Sequence, residues 1–401
     1  MQYNQKSNLL LTSAVLLTSL CAATSAHASG FGIFTQGASA LGQANAVVAH
    51  TDEPSAIYFN PALINKLPGT QIEVGTTLLF PSRDFKSSAT GVTASTEDTV
   101  YYPSTFYVSH AFNDKISAGL GIFNPFGLGT EWNGDWEGKY LATKSKIETF
   151  NFNPVVSYRI IPGLSFAAGL DVIYLDASLE QKMFPSNANQ KFKGDGTGVG
   201  YNLGLAYDAG HGISAGVSYR SEVDMDIDGE LIISIPGVPS MNAKTKLTLP
   251  RQLTAGLAYQ ATDRFTVESG FRWEDWRSYK QLKLEVEGLP DTIIPKNWHD
   301  TFAVNVGGKY RLNDTFTLLG GYLYGWNAIP DDTFEPGVPD SNTHLFTIGT
   351  DMKFNRFKLA VSYAYQLQEE RTKNNAVGFG LANGEYNADI HLLGLSLAYK
   401  F

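Results

Sequence analysis

The carboxyl-terminal stretch constrains the fold more than any other part of the chain. Leu393, Leu395, Leu397, Tyr399 and Phe401 alternate with Leu392, Gly394, Ser396, Ala398 and Lys400. An apolar side chain at every second position, closing on an aromatic, suits a strand with one face in lipid and the other in a lumen. A soluble sheet shares the alternation. It would rarely end on a free terminal Phe or repeat the pattern along nearly the whole chain.

The pattern does repeat. Leu203, Leu205 and Tyr207 alternate with Asn202, Gly204 and Ala206, and Ile213, Ala215, Val217 and Tyr219 with Ser214, Gly216, Ser218 and Arg220. Leu253 to Tyr259, Phe302 to Tyr310 and Leu359 to Tyr363 follow the same rule. A helix needs a period of about 3.6, which these segments lack. Short polar links occur at Asn113-Asp114, Pro162-Gly163, Asp208 to Gly212, Thr262-Asp263, Asn313-Asp314 and Asn355-Arg356. They alternate strictly with longer stretches: Ser82 to Asp98, Trp132 to Lys144, Lys182 to Gly194, Gly229 to Asn242, Glu287 to Asn297, Asn327 to Asn342 and Arg371 to Gly384. Short periplasmic turns facing long external loops are the asymmetry of an outer-membrane barrel. The fold expected is all-β, a transmembrane antiparallel barrel of about fourteen strands, an even number as bacterial barrels require. Both ends then lie on the periplasmic side, and Tyr207, Tyr219, Tyr259, Tyr310, Tyr363 and Tyr399 are expected as an inner aromatic girdle near the short turns. A soluble β-sandwich is the alternative.

Residues 1–28 read as a secretory signal, with Lys6, an apolar run from Leu9 to Leu20, and Ala26-His27-Ala28 before a cut at Ser29. That run is too short to span a bilayer as a helix. Cys21 raises a lipoprotein reading, which the bulky Leu20 before it disfavours. Cys21 is the only cysteine, so the mature chain has no disulfide framework. A net charge of −9 argues against nucleic acid as a partner.

Residues 29–69 do not alternate. They are rich in Gly, Ala, Ser and Asn, with scattered Phe31, Phe34, Ile57, Tyr58 and Phe59. A free periplasmic tail is more polar than this. The apolar content points to a segment that packs inside a container, so it is expected as a plug, or hatch, in the lumen of a barrel formed by residues 70–401.

Several segments carry a resemblance. They are Ser29-Gly30-Phe31, Gly37 to Ala46, Asn60-Pro61-Ala62-Leu63, Phe126 to Trp132, Leu249-Pro250, Trp273 to Leu282 and Pro339-Asp340. Asn-Pro-Ala alone is only a turn signal. In this order, spanning nearly the whole mature chain, the segments resemble the long-chain fatty acid transporters of Gram-negative outer membranes (FadL type), some members of which take up aromatic hydrocarbons instead. The resemblance implies a fourteen-stranded barrel with an amino-terminal hatch, in agreement with the strand count. It also implies hatch residues Ser29, Gly30, Phe31, Phe34, Asn60, Pro61 and Ala62.

The third strand, from Lys115 to about Trp132, carries Asn124, Pro125, Phe126 and Gly127. Pro125 cannot donate to a ladder, and glycine weakens pairing. A barrel has no edge, so this Pro marks a bulge near the rim or a true break. Family members are similar in having an inward kink here that opens a lateral window for ligand exit.

Two external stretches are greasy. One holds Ile233, Ile235 and Val238, the other Leu289 and Ile293. Exposed apolar loops mark binding surfaces, or pack on one another as a lid. Parity puts Glu268, Arg272, Glu274, Asn305 and Lys309 on the lumen face. Arg272 or Lys309 could pair with a ligand carboxylate. The reading favoured for any one residue is structural: Arg272 pairs with Glu268 or Glu274 to hold the lumen together.

The expected activity is passive uptake of hydrophobic small molecules through the outer membrane, with long-chain fatty acids favoured and aromatic hydrocarbons second. Outer-membrane lipids surround a single chain, and no cofactor, metal or nucleic acid is expected. The rivals are a barrel enzyme and a polar porin. His50, His110, His211, His299, His344 and His391 stand in no recognisable nucleophile or metal motif. A porin would lack a hatch and greasy loops. An adhesin role could coexist with transport.

Overall fold

The computed structural model describes residues 30–401. The signal reading, Cys21 and Ser29 lie outside the described residues. The alternating segments form one closed antiparallel barrel of 14 strands. These are β1 (Thr70–Ser87), β2 (Ser104–Ala111), β3 (Ile116–Phe123, resuming as Gly127–Glu131), β4 (Lys144–Ile161), β5 (Leu164–Lys182), β6 (Asn189–Gly210) and β7 (Ile213–Arg220, then Val223–Ile233). They continue as β8 (Met241–Leu249, then Gln252–Gln260), β9 (Phe265–Glu274), β10 (Thr301–Arg311), β11 (Phe316–Gly325), β12 (Thr343–Phe354), β13 (Phe357–Gln368) and β14 (Gly384–Lys400). Each strand pairs with the next, and β1 pairs with β14 from Gln71↔Lys400 to Ser87↔Gly384, which closes the barrel and leaves no edge.

The alternation separates lipid from lumen. On β6, Leu203, Leu205 and Tyr207 are exposed outward, while Asn202 and Ala206 are buried inward. With 22 residues, β6 runs roughly 70 Å at about 3.3 Å per residue, far more than an apolar band of about 25 Å requires. The extra length stands above the membrane as twisted ribbons.

That length corrects two expectations. Much of Lys182 to Gly194 and of Gly229 to Asn242 is strand rather than loop, because neighbouring ribbons pair there, from Asp228↔Asp195 to Ile233↔Gln190. The expected inner girdle is also only partly realised. Tyr207, Tyr259, Tyr310 and Tyr399 stand near the short turns, but Tyr219 and Tyr363 sit well up their strands. There Tyr219 packs on Tyr201, with ring centroids 6.0 Å apart, and Tyr363 bonds His391 Nδ1 at 2.7 Å. Period two assigns a face and says nothing about height.

Residues 30–69 lie within the barrel. They contain two short helices, Ala38–Gly42 and Ala56–Phe59, and a 3-10 turn, Pro61–Lys66. Small residues let this segment lie directly on the wall. A Cβ at Gly307 would overlap the Gln43 carbonyl, and one at Gly216 the Val48 carbonyl. Asn60 ends the second helix and caps the 3-10 turn: its Oδ1 accepts Ala62 N–H at 3.1 Å, and its Nδ2 donates to Val48 O and, across to β6, Leu205 O. Pro61 follows at the first turn, where its missing N–H costs nothing. No helix among the described residues is long and apolar enough to cross a membrane.

Candidate ligand site in the barrel lumen

The interruption of β3 is the first element of the site. The ladder to β4 runs to Phe123↔Asn151 and resumes at Gly127↔Glu148, so three residues of β3 face two of β4. Pro125 accounts for the mismatch, since it has no N–H to give. The freed groups are satisfied from elsewhere. Asn124 Nδ2 donates to Thr149 O at 2.6 Å, and Asn124 Oδ1 accepts Ser104 N–H at 3.0 Å. Thr149 Oγ1 accepts Phe126 N–H and donates to Phe126 O.

The remaining groups pair with the amino-terminal segment. Ile33 N–H donates to Pro125 O and Gly127 N–H to Phe31 O, both at 2.9 Å. Gln36 Nε2 donates to Asn124 O at 2.6 Å. A Cβ at Gly127 would come within 2.6 Å of Ile33 Cδ1, so a larger residue there obliges the Ile33 side chain to shift. Residues 31–36 thus stand as a surrogate strand against the break.

From this strand the two phenylalanines project into different surroundings. Phe31 sits edge-on to Trp276 and Trp298, at ring centroid distances of 4.6 and 5.8 Å, and 6.2 Å from Phe126. Next to it, Gly30 N–H donates to Asp340 Oδ2 at 3.1 Å. Burial lifts the Asp340 carboxyl to about 7, against the pull of Arg371.

Phe34 lines a cavity, partly open to solvent, between the inner segment and strands β7 to β11. Phe34, Val48, Tyr58, Phe59 and Leu323 form its apolar surface, and Asn45, Arg220, Gln252, Arg272 and Asn305 its polar one. The Arg272 guanidinium lies 4.9 Å from the Phe34 ring centroid and pairs with Glu274 at 2.7 Å. Arg220 pairs with Asp171 and donates to the carbonyls of Ile57 and Tyr58, tying the second helix to the wall.

The expected residues are therefore only partly brought together. Phe31, Phe34, Arg272 and the Asn124–Gly127 break converge on the lumen. Lys309 instead meets Asp52 at 3.5 Å, beside Lys353 and Lys358, in a charge cluster that holds the Asp52 carboxyl well below the usual range, chiefly through Lys309. Glu268 accepts the backbone N–H groups of Val48, Ala49 and His50. Ile233 is the last residue of its strand, and Leu231 beside it is buried. Ile235 and Val238 remain exposed at the tip between β7 and β8, and Ile293 on a separate ribbon, Gln281–Val286 with Thr292–Pro295. Arg220, Asn45, Trp276 and Trp298 were not anticipated. Arg220 was within reach, as the one charge on an inward face of small residues.

The sequence signature of a family described as "Outer membrane protein transport protein (OMPP1/FadL/TodX)" matches residues 19–401. The chain belongs to this family. Among curated members of OMPP1/FadL/TodX type, it is similar to the "47 kDa outer membrane protein" of Pasteurella multocida, 25% identical over 98% of each chain. It is 23% identical to the "Long-chain fatty acid transport protein" of Escherichia coli O6:H1, over 98% of this chain and 99% of that one. Among solved structures, a Pseudomonas aeruginosa FadL homologue superposes with a TM-score of 0.83 at 19% identity, covering 93% of this chain and 100% of that one. The P. putida toluene transporter TodX follows at 0.74 and 18%, covering 93% and 99%. The FadL/TodX barrel is an outer-membrane transporter for hydrophobic compounds and not an enzyme.

Proposed function

We propose that the chain is a passive outer-membrane channel whose ligand is most often a long-chain fatty acid. Residues 29–69 act as the hatch. Ligand is captured at the apolar loop tips around Ile233, Ile235, Val238 and Ile293 and moves to the lumen beside Phe31, Phe34 and Arg272. It leaves sideways through the wall at Asn124–Gly127. Asn60, Pro61 and Ala62 hold the lower hatch in place, and Lys309 secures its base through Asp52. The channel works as a single chain surrounded by outer-membrane lipid.

One observation carries this reading. The backbone of Phe31 and Ile33 completes the hydrogen bonding of the break in β3, while Phe31 and Phe34 project into the lumen. A ligand that displaces these rings also withdraws the groups that seal the break. Binding and opening are then one event, because the ligand favours the state in which the surrogate strand has moved. The polar groups of the cavity favour a ligand with a head group. The edge-on aromatic cluster around Phe31 supports a second reading, uptake of aromatic hydrocarbons.

The test is uptake of labelled oleate and labelled toluene by cells lacking their own fatty-acid transporter, with and without this protein. Oleate uptake alone supports the first reading and toluene uptake alone the second. Entry of small polar sugars with neither hydrophobic ligand would overturn both.

A further inference from the structure

The charges around the lumen cavity are already matched. Arg220 is committed to Asp171, Asn153 and two hatch carbonyls. Arg272 is committed to Glu274 and to Tyr58 Oη. The neighbouring Glu268 is held by three backbone N–H groups and the His50 ring. Neither guanidinium lining the cavity lacks a carboxylate, so an ionised ligand head group would bring an unmatched negative charge beside them.

Asn45 presents the opposite situation. The residue lines the cavity and is only 9% exposed; its Nδ2 and Oδ1 are closed off from the cavity and have no hydrogen-bond partner among the described residues. Its backbone is fixed: the N–H donates to Ala40 O at 2.8 Å, and the C=O accepts from Val47 at 3.0 Å. The left-handed φ of 62° is one that Asn tolerates better than most residues. A buried carboxamide with both ends unpaired is costly unless something in the cavity completes it.

We infer that Asn45 reads a neutral head group offering one donor and one acceptor side by side, and that a fatty acid is held here as the protonated acid. With the carboxamide turned into the cavity, the acid O–H donates to Asn45 Oδ1, and its C=O accepts from Nδ2. A carboxylate has no proton for Oδ1, and a bare hydrocarbon satisfies neither atom. This inference rests on the reading of the lumen as the ligand site.

The test measures equilibrium binding to the full chain in lipid nanodiscs, with empty nanodiscs subtracted. Three labelled probes share one chain length: dodecanamide, an unionisable analogue of the acid; dodecyl sulfonate, which is always ionised; and dodecane. The amide is expected to bind about tenfold or more tightly than the other two. Asn45→Gly, which keeps the left-handed backbone unstrained, should bring amide and dodecane within about twofold of each other. Asn45→Leu provides a second variant with the same expectation. Sulfonate binding equal to that of the amide, or an amide preference that survives both substitutions, would overturn the inference while leaving the lumen site intact. Binding of none of the three would overturn the lumen site and the inference together.

Discussion

Two seams in the same wall are built in opposite ways. Between β1 and β14 the ladder runs through 17 consecutive pairs, and each strand satisfies its neighbour. Between β2 and β3 it covers 6 pairs and ends at Phe106↔Ile122. Above that point, the Asn124 side chain reaches Ser104 of β2, and the backbone of Phe31 and Ile33 bonds the freed groups of β3. The first seam depends only on the wall. The second depends on a segment that is not part of the wall, so anything that moves that segment changes the wall.

The comparison breaks most completely at Gly127. Gly127→Arg would drive a long side chain into Ile33 and the surrogate strand. Uptake should fall to background while heat-modified gel mobility still reports a folded barrel. Uptake at the wild-type rate would mean that ligand leaves by another route.

Next in size is Arg220→Met, which leaves Asp171 buried with Asn151 and Asn202 but without its cation. The expected loss is about 3–5 kcal/mol of stability, read as a lowered denaturant midpoint in detergent. A midpoint shared with the wild type would show that the hatch is held to the wall elsewhere.

A smaller effect is expected for Asn124→Ala, about 1–3 kcal/mol and local, because Ser104 N–H and Thr149 O lose their partner. Amide exchange should rise around the break and stay unchanged along β1 and β14. Uniform change in both seams would erase the distinction between them.

The smallest effect concerns pH. Asp340, with its carboxyl raised to about 7, retains its proton in the folded state over a range where an unfolded chain, at about 3.9, has lost it. Its contribution is fully present below the unfolded value and is lost as pH rises through about 7. Exchange across residues 326–342, corrected for the intrinsic rate, should increase between about pH 4 and pH 7 and level off above it, and Asp340→Asn should flatten the change. An equal rise in the variant would assign the effect to another group.

What was legible in the sequence follows from which interactions are local. Strand number and facing came through because period two repeats within each segment, and the break in β3 because Pro125 lacks a donor wherever it sits. The loops are shorter than the sequence suggests because polar ribbons such as Asn189 to Gly196 carry no lipid-facing run. Leu231, two residues before the greasy stretch at Ile233, is buried in the apolar cluster that also contains Phe31. Arg220 stands in a readable alternation, yet its partner Asp171 lies on another strand and no spacing connects them. Asn45 was hidden for a different reason: nothing in the composition of a Gly-Ala-Asn segment distinguishes a satisfied carboxamide from an orphaned one.

The wall glycines at 216 and 307 also bear on biogenesis. The segment inside the barrel precedes every strand in the chain, and its carbonyls sit where side chains on β7 and β10 would otherwise be. A segment fitted this closely belongs in place before β14 reaches β1, so the final seam closes around it. Replacing Gly307 with a bulkier residue should therefore slow assembly in pulse-chase folding. Normal assembly kinetics would show that the hatch enters a barrel already closed.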